Sequence, residues 1–152
     1  MNKYTIVILF PIIFLINGCS LKIPHSPNVS YSKHVKIDSR KTKLLVKRFI
    51  EYWDSRIKGD AQKAWKYELP YQRYMMNFDL YKRLIGMYKN AKIELSAISF
   101  RDKNTAIIER KISVHKKIWK KKDKWIYVQD NWYHKFYQSI FPPKTEEEAK
   151  FQ

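Results

Sequence analysis

The sequence predicts an α+β domain, with helices first and a run of antiparallel strands after them. Three observations carry this. Between residues 39 and 90, apolar side chains recur at spacings of three and four, the period of a one-sided helix. Between residues 91 and 138 the pattern changes to alternation, the period of a strand with one buried face. The chain has 152 residues, 45% of them hydrophobic and 16% aromatic, which suits one domain with a core and excludes a wholly disordered chain.

The helical half divides into segments by its punctuation. Asp38 or Ser39 can cap a first helix, in which Leu45, Val46, Phe49, Ile50, Trp53 and Ile57 form one apolar stripe. Gly59 suits the stop of that helix. Asp60 can cap a second, short helix over Ala61–Tyr67, with Ala64 and Trp65 inward. Leu69-Pro70 breaks it, because the residue before a proline avoids the helical region. Pro70 then fits the first turn of a third segment, Tyr71–Met76. A fourth, Asp79–Met87, takes Asp79 as its cap and Leu80, Leu84, Ile85 and Met87 as its apolar set.

The strand half predicts about four strands. Ile93, Leu95 and Ala97 share a face, and Ile98 and Phe100 then change phase, which predicts a bulge. Residues 101–104 are a turn. Ala106, Ile108, Ile112 and Val114 share the next face, with Arg110 the exception. Lys120–Asp123 reads as a second turn and Trp125–Val128 as the third strand. A turn at Asp130-Asn131 leads into a fourth strand over residues 132–137. Phe141-Pro142-Pro143 ends the domain, leaving residues 144–152 as a short acidic tail.

The first 38 residues have a different character. Lys3 precedes an uncharged apolar run from Thr5 to Ile16. Twelve residues at about 1.5 Å each reach roughly 18 Å, short of the ~30 Å core of a bilayer, so residues 1–18 read as a signal peptide rather than a span. The one Cys of the chain, Cys19, follows directly. Leu15-Ile16-Asn17-Gly18-Cys19 resembles the lipobox of bacterial lipoproteins, with Ile16, Gly18 and Cys19 at the matching positions and Asn17 more polar than usual. The resemblance implies cleavage between Gly18 and Cys19, diacylation of the Cys19 thiol and attachment to a membrane. Ser20 follows where an Asp favours inner-membrane retention, so the implied place is the outer membrane, facing the periplasm. Residues 19–38, with Pro24, Pro27 and several Ser, predict a flexible tether spanning roughly 25 Å, on which Val35 and Ile37 can dock back. His25 and His34 lie in it and are expected to be solvated.

Residues 39–143 also suggest a family. Phe49-Ile50-Glu51-Tyr52-Trp53, then Lys58-Gly59-Asp60-Ala61 and Ala64-Trp65, then strands closing on Asn131-Trp132-Tyr133-His134, resemble the nuclear-transport-factor-two-like superfamily. The resemblance implies a cone, in which a curved antiparallel sheet wraps the N-terminal helices, as in cystatin-like and ketosteroid-isomerase-like folds. It also implies a pocket at the open end. Members include enzymes, scaffolds and exported proteins, so the fold does not choose a function.

Two constellations are candidates for function. Trp53, Tyr74, Trp125, Trp132, Tyr133 and His134 would line a cone pocket for an apolar or sugar ligand, although core and cross-strand packing is the simpler account of such aromatics. Lys116, Lys117, Trp119, Lys120, Lys121, Lys122 and Lys124 form a basic patch for anionic lipid headgroups or an acidic envelope protein. The chain carries 31 Lys and Arg against 14 Asp and Glu, a net charge of +17, and removing residues 1–18 takes away one unit of it. Nucleic acid also suits such a patch, but a tethered envelope protein rarely meets it. A lone Cys excludes an intrachain disulfide framework, and the spacing shows no metal or Walker motif, so no metal or cofactor is expected. No acid–base pair can be read from spacing, with Glu94 and Glu109 expected to face solvent and His115 to be solvated. The sequence therefore favours a membrane-anchored, non-catalytic binding or assembly module. The alternative is a small-ligand enzyme or carrier using the pocket.

Overall fold

The computed structural model describes residues 21–86 and 88–136; the signal segment with Gly18 and Cys19, Met87 and the acidic tail lie outside them. Among the described residues nine elements follow one another: β1 (Val29–Tyr31), α1 (Arg40–Ile57), α2 (Ala61–Trp65), α3 (Pro70–Met75), α4 (Phe78–Leu84), β2 (Lys92–Asp102), β3 (Thr105–Val114), β4 (Lys117–Val128) and β5 (Asn131–His134). This is an α+β fold in which four helices meet a curled five-stranded sheet of order β1-β2-β3-β4-β5. The sheet is mixed rather than wholly antiparallel, because β1 runs parallel to β2.

The long helix forms for the reasons its sequence announces. Ser39, not Asp38, is the cap: its side chain accepts from Thr42 N at 3.0 Å. The whole apolar stripe is buried, from Leu45 to Ile57, and Tyr52 is buried with it. Gly59 ends the helix at φ +75, a left-handed conformation that favours glycine. Asp60 caps α2 through Lys63 N at 2.9 Å, and Pro70 opens α3.

The later helices differ in detail. The cap of α4 is Asn77, which accepts from Leu80 N at 2.8 Å; Asp79 sits in the first turn, where its charge complements the helix dipole. The buried residues here are Tyr81 and Ile85, while Leu80 is exposed and Leu84 half-buried. α2 stops at Trp65 instead of reaching Tyr67 because the chain turns to meet β5. His134 N donates to Tyr67 O at 2.8 Å, and Leu69 N donates to His134 O at 3.0 Å.

In the sheet, the expected bulge is present as a register shift between Leu95 and Ala97. The turn expected at Lys120–Asp123 is absent. β4 pairs with β3 without a break from Lys117 to Ile126, and the hairpin reverses at His115-Lys116, with His115 at φ 52. The lysines had read as a turn because polar runs usually are; here they are the solvated end of a strand whose other end is buried.

The segment expected as a free tether also contains structure. Val29 is 3% exposed and pairs with Ile93, and Ser26 donates to Asp54 Oδ1 at 2.9 Å. Ile23 joins Val35 and Ile37 against the core, so the folded body begins before residue 39. A three-residue strand flanked by Ser and Pro carries no periodic signal of its own; the open edge of β2 supplies its hydrogen bonds. Among the described residues no helix is long and apolar enough to cross a membrane.

Val29→Ala should therefore lower stability by about 1–2 kcal/mol, read as a fall in the urea midpoint at unchanged slope. A change within roughly 0.5 kcal/mol would mean that residues 26–31 do not dock.

Candidate functional site

The interior of the sheet is filled. Trp53, Trp125 and Trp132 from the aromatic candidates are all 0% exposed, and Tyr52 lies among them. Tyr52 meets Trp125 edge-on at 5.8 Å and Trp53 at 5.1 Å. Trp132 donates from Nε1 to Lys41 O at 3.0 Å. Tyr133 is half-buried under the Arg48 guanidinium, and Tyr74 is 89% exposed on α3. These residues do not line one open pocket. His134 does face inward, stacked on Tyr52 at 4.5 Å.

Around His134 is a buried polar cluster that the sequence did not predict. Its centre is Glu68, 0% exposed. Glu68 Oε1 accepts from the Tyr52 hydroxyl at 2.8 Å and the Tyr81 hydroxyl at 3.0 Å. Glu68 Oε2 accepts from His134 Nδ1 at 2.8 Å. On the other side of the imidazole, Asp123 Oδ1 lies 3.9 Å from Nε2. Asp123 also accepts from Trp53 Nε1 at 3.0 Å and from Arg110 Nε at 2.9 Å. Two carboxylates thus flank one imidazole, each satisfied by neighbours, as burial requires. Burial first, then the charge of Glu68, pushes the Tyr52 and Tyr81 hydroxyls well above the ordinary phenol value.

Some of these residues left a trace in the sequence. Arg110 was the one charged side chain on an apolar face, and a buried cation there needs a buried acid. Asp123 continues the alternation of Trp125 and Tyr127 and becomes visible once the lysines are read as strand. Glu68 has no local signal, because its partners lie on three other elements.

The basic patch is split by the strand that carries it. Lys117, Trp119 and Lys121 share the face of Asp123 and Trp125, while Lys120, Lys122 and Lys124 share the opposite one. Lys122 pairs with Glu109 at 3.2 Å and Lys111 with Glu94 at 3.1 Å, so both acids do face outward. A groove of about 280 Å³ lies along Ser96, Glu109 and Lys120–Lys122. At the tip Ile118 is 66% exposed and Trp119 43% exposed, beside Lys116, Lys117 and Lys120. A second groove of about 360 Å³ separates residues 34–38 from β2. His25, His34 and His115 are exposed. Among the described residues no three His, Cys, Asp or Glu side chains gather as a metal site requires.

No family model matches the sequence, and no curated protein matches it. Among solved structures, a SEC-C motif-containing protein from Rhodopseudomonas palustris is similar at 11% identity and a TM-score of 0.40, over 62% of this chain and 74% of that one. A likeness this weak assigns no function.

The raised tyrosines give a pH dependence with a definite sign. The folded state keeps the Tyr52 and Tyr81 protons at a pH where the unfolded chain has released them. The stability they contribute is complete below pH 10.0 and is lost as pH rises beyond it. The urea midpoint should fall above that value, and less steeply in the Tyr52→Phe/Tyr81→Phe double variant. Equal slopes in the two proteins would remove these hydroxyls from the cluster.

Proposed function

We propose that the chain is a lipid-anchored protein of the bacterial cell envelope whose folded part is a non-catalytic binding module. The β3–β4 hairpin is the face it presents to an anionic membrane surface. The observation that carries this reading is the tip of the hairpin, where exposed Ile118 and Trp119 sit within a collar of exposed lysines. Trp partitions to the membrane–water interface, and each Lys near an anionic leaflet contributes about 1 kcal/mol. The lipobox-like Leu15–Cys19 supports the anchor, and Ser20 supports the outer membrane. An anchored domain needs only a weak surface contact, because tethering keeps the local concentration high. An acidic envelope protein is the other partner that such a charge would attract. For the fold, we propose the nuclear-transport-factor-two-like cone, supported by a long helix held in a curled sheet.

A second reading, a small-ligand enzyme or carrier, draws on the Glu68–His134 contact, which is a plausible acid–base arrangement by chemistry alone. The filled interior weighs against it, since Glu68 is 0% exposed and both of its oxygens already accept hydrogen bonds.

The anchor is tested by Cys19→Ala. The wild type should take an acyl label and fractionate with membranes, and the variant should do neither; an unlabelled wild type would sink the anchor. The hairpin is tested on the full-length chain with vesicles containing phosphatidylglycerol. Replacing Lys116, Lys117 and Lys120 with Gln should weaken binding roughly a hundredfold at low salt, at about 1 kcal/mol per lysine. The difference should shrink as salt screens it. Unchanged binding at low salt would refute the surface.

A further inference from the structure

The basic hairpin has an inner counterpart that the membrane reading does not use. Arg56, from the last turn of α1, is 6% exposed, and Arg110, on β3, is 8% exposed. Both guanidiniums lie against the same indole, at 4.7 Å and 4.1 Å from the centre of the Trp53 ring. Tyr88 also faces Arg56, at 4.7 Å.

Their hydrogen bonding is incomplete. Arg56 donates from Nη1 to the Tyr52 hydroxyl at 3.0 Å, and its Nε has no acceptor. Among the described residues no carboxylate lies within ion-pair distance of it. Arg110 uses Nε on Asp123, and its buried Nη1 has no acceptor. The nearby buried acids are already engaged: Asp123 by Arg110 and Trp53, Glu68 by two tyrosines and His134. A buried guanidinium without an anion is costly, and an orphaned buried donor calls for a partner.

A third cation adjoins them. Lys121 stands directly opposite Arg110 in the β3–β4 register, so their side chains share the inner face, and Lys121 is exposed. Asp123, two residues along β4 on the same face, neutralises Arg110, so Arg110 and Lys121 together keep one uncompensated positive charge beside that of Arg56. Two planar guanidiniums and an ammonium are the donor set that binds a phosphate group, whose oxygens accept in several directions.

We infer that Arg56, Arg110 and Lys121 form an oxyanion site on the inner face of the sheet, beside Trp53 at the hairpin end of α1, that takes a phosphate group. The group can belong to a soluble phosphate or to a lipid headgroup; the donors are the same for both. The site stands on the interior arginines and is independent of the membrane reading, which rests on Lys116, Lys117 and Lys120.

The test uses the full-length chain in a non-ionic detergent, titrated with inorganic phosphate against chloride at matched ionic strength. Phosphate should raise the melting temperature of the wild type and of Lys116→Gln, and chloride should not. Arg56→Gln and Lys121→Gln should each weaken phosphate binding about tenfold, by calorimetry. Lys121 is exposed, so its variant keeps the fold even if Arg56→Gln lowers basal stability. Equal effects of phosphate and chloride on the wild type would overturn the site, as would full phosphate affinity in Lys121→Gln. Vesicles containing phosphatidic acid, tested in a Lys116→Gln/Lys117→Gln/Lys120→Gln background that removes the outer patch, then identify the source. Loss of vesicle binding in Arg56→Gln supports the site with a headgroup as its ligand, and unchanged vesicle binding beside lost phosphate binding supports it with a soluble one.

Discussion

The Glu68 carboxylate is the constraint on which the rest of the structure hangs. It is completely buried, and an ion in that position costs several kcal/mol unless its lone pairs are satisfied. Three donors satisfy it, from α1, α4 and β5, through Tyr52, Tyr81 and His134. None of these elements neighbours another in sequence. The carboxylate is therefore satisfied only when the helices lie inside the curl of the sheet and β5 has come round to the α2–α3 connection. The backbone repeats the same tie, with Glu68 bridged to His134 in parallel. A second carboxylate, Asp123, plays the matching part for β3 and β4 by holding Arg110 and the Trp53 indole. The helix that joins the two is α1, since Tyr52 serves one acid and the adjacent Trp53 the other.

This arrangement explains what the sequence could and could not disclose. Features set by neighbours within a few residues were legible: the stripe and caps of α1 and α2, Gly59 at φ +75, Pro70 at the start of α3 and the bulge after Leu95. Each is a local consequence of backbone geometry or hydrophobic period. Features set across the fold were not. β1 exists because the edge of β2 has free backbone groups and α1 offers a buried place for Val29. Glu68 carries no local signal, because its three donors come together only in the assembled fold. The lysines of β4 imitate a turn because a strand that outruns its core is polar on both faces. Tyr81 replaces Leu80 as the buried side chain of α4 because a phenol can reach Glu68 and a leucine cannot.

The interior and the hairpin consequently divide the chemistry. Within the curl, aromatic rings pack around the carboxylates and every carboxylate oxygen accepts a hydrogen bond, so the cluster ties together α1, α4 and β5. At the β3–β4 tip the strands extend past the core, and the side chains there have solvent on both faces. Lys120 and Lys122 face outward, where Glu109 neutralises Lys122. Lys117, Trp119 and Lys121 face the other way, toward the side from which Arg110 and Arg56 approach. The excess of cations is thus distributed on both sides of one hairpin, with different depths: a flexible, screened layer outside and a rigid, poorly solvated one inside. Fixed guanidiniums lose little freedom on binding and act in a lower dielectric, so the inner layer suits one compact anion while the outer suits a diffuse surface.

The inner layer is connected to the central carboxylate through a short chain of hydrogen bonds. Arg56 Nη1 donates to the Tyr52 hydroxyl, and that hydroxyl donates to Glu68 Oε1. Charge placed next to Arg56 therefore acts on the same tyrosine that helps to hold the central carboxylate. An anion beside the guanidinium compensates a cation that the fold leaves without a carboxylate, and ligand that binds only the folded state stabilises it by mass action. The direction of this linkage is fixed by the geometry. Arg110 is already paired with Asp123, whereas Arg56 has a tyrosine hydroxyl and no carboxylate within ion-pair distance among the described residues, so an added anion would act chiefly on Arg56. The fold tolerates such burial because Trp53 shields both guanidiniums with its faces and Tyr88 covers one of them, replacing part of the lost hydration with ring contacts. Cation–π contact offsets desolvation but supplies no acceptor to Arg56 Nε or Arg110 Nη1. Among the described residues those two guanidinium N–H groups, like Arg73 Nε and Trp125 Nε1, are buried without an acceptor.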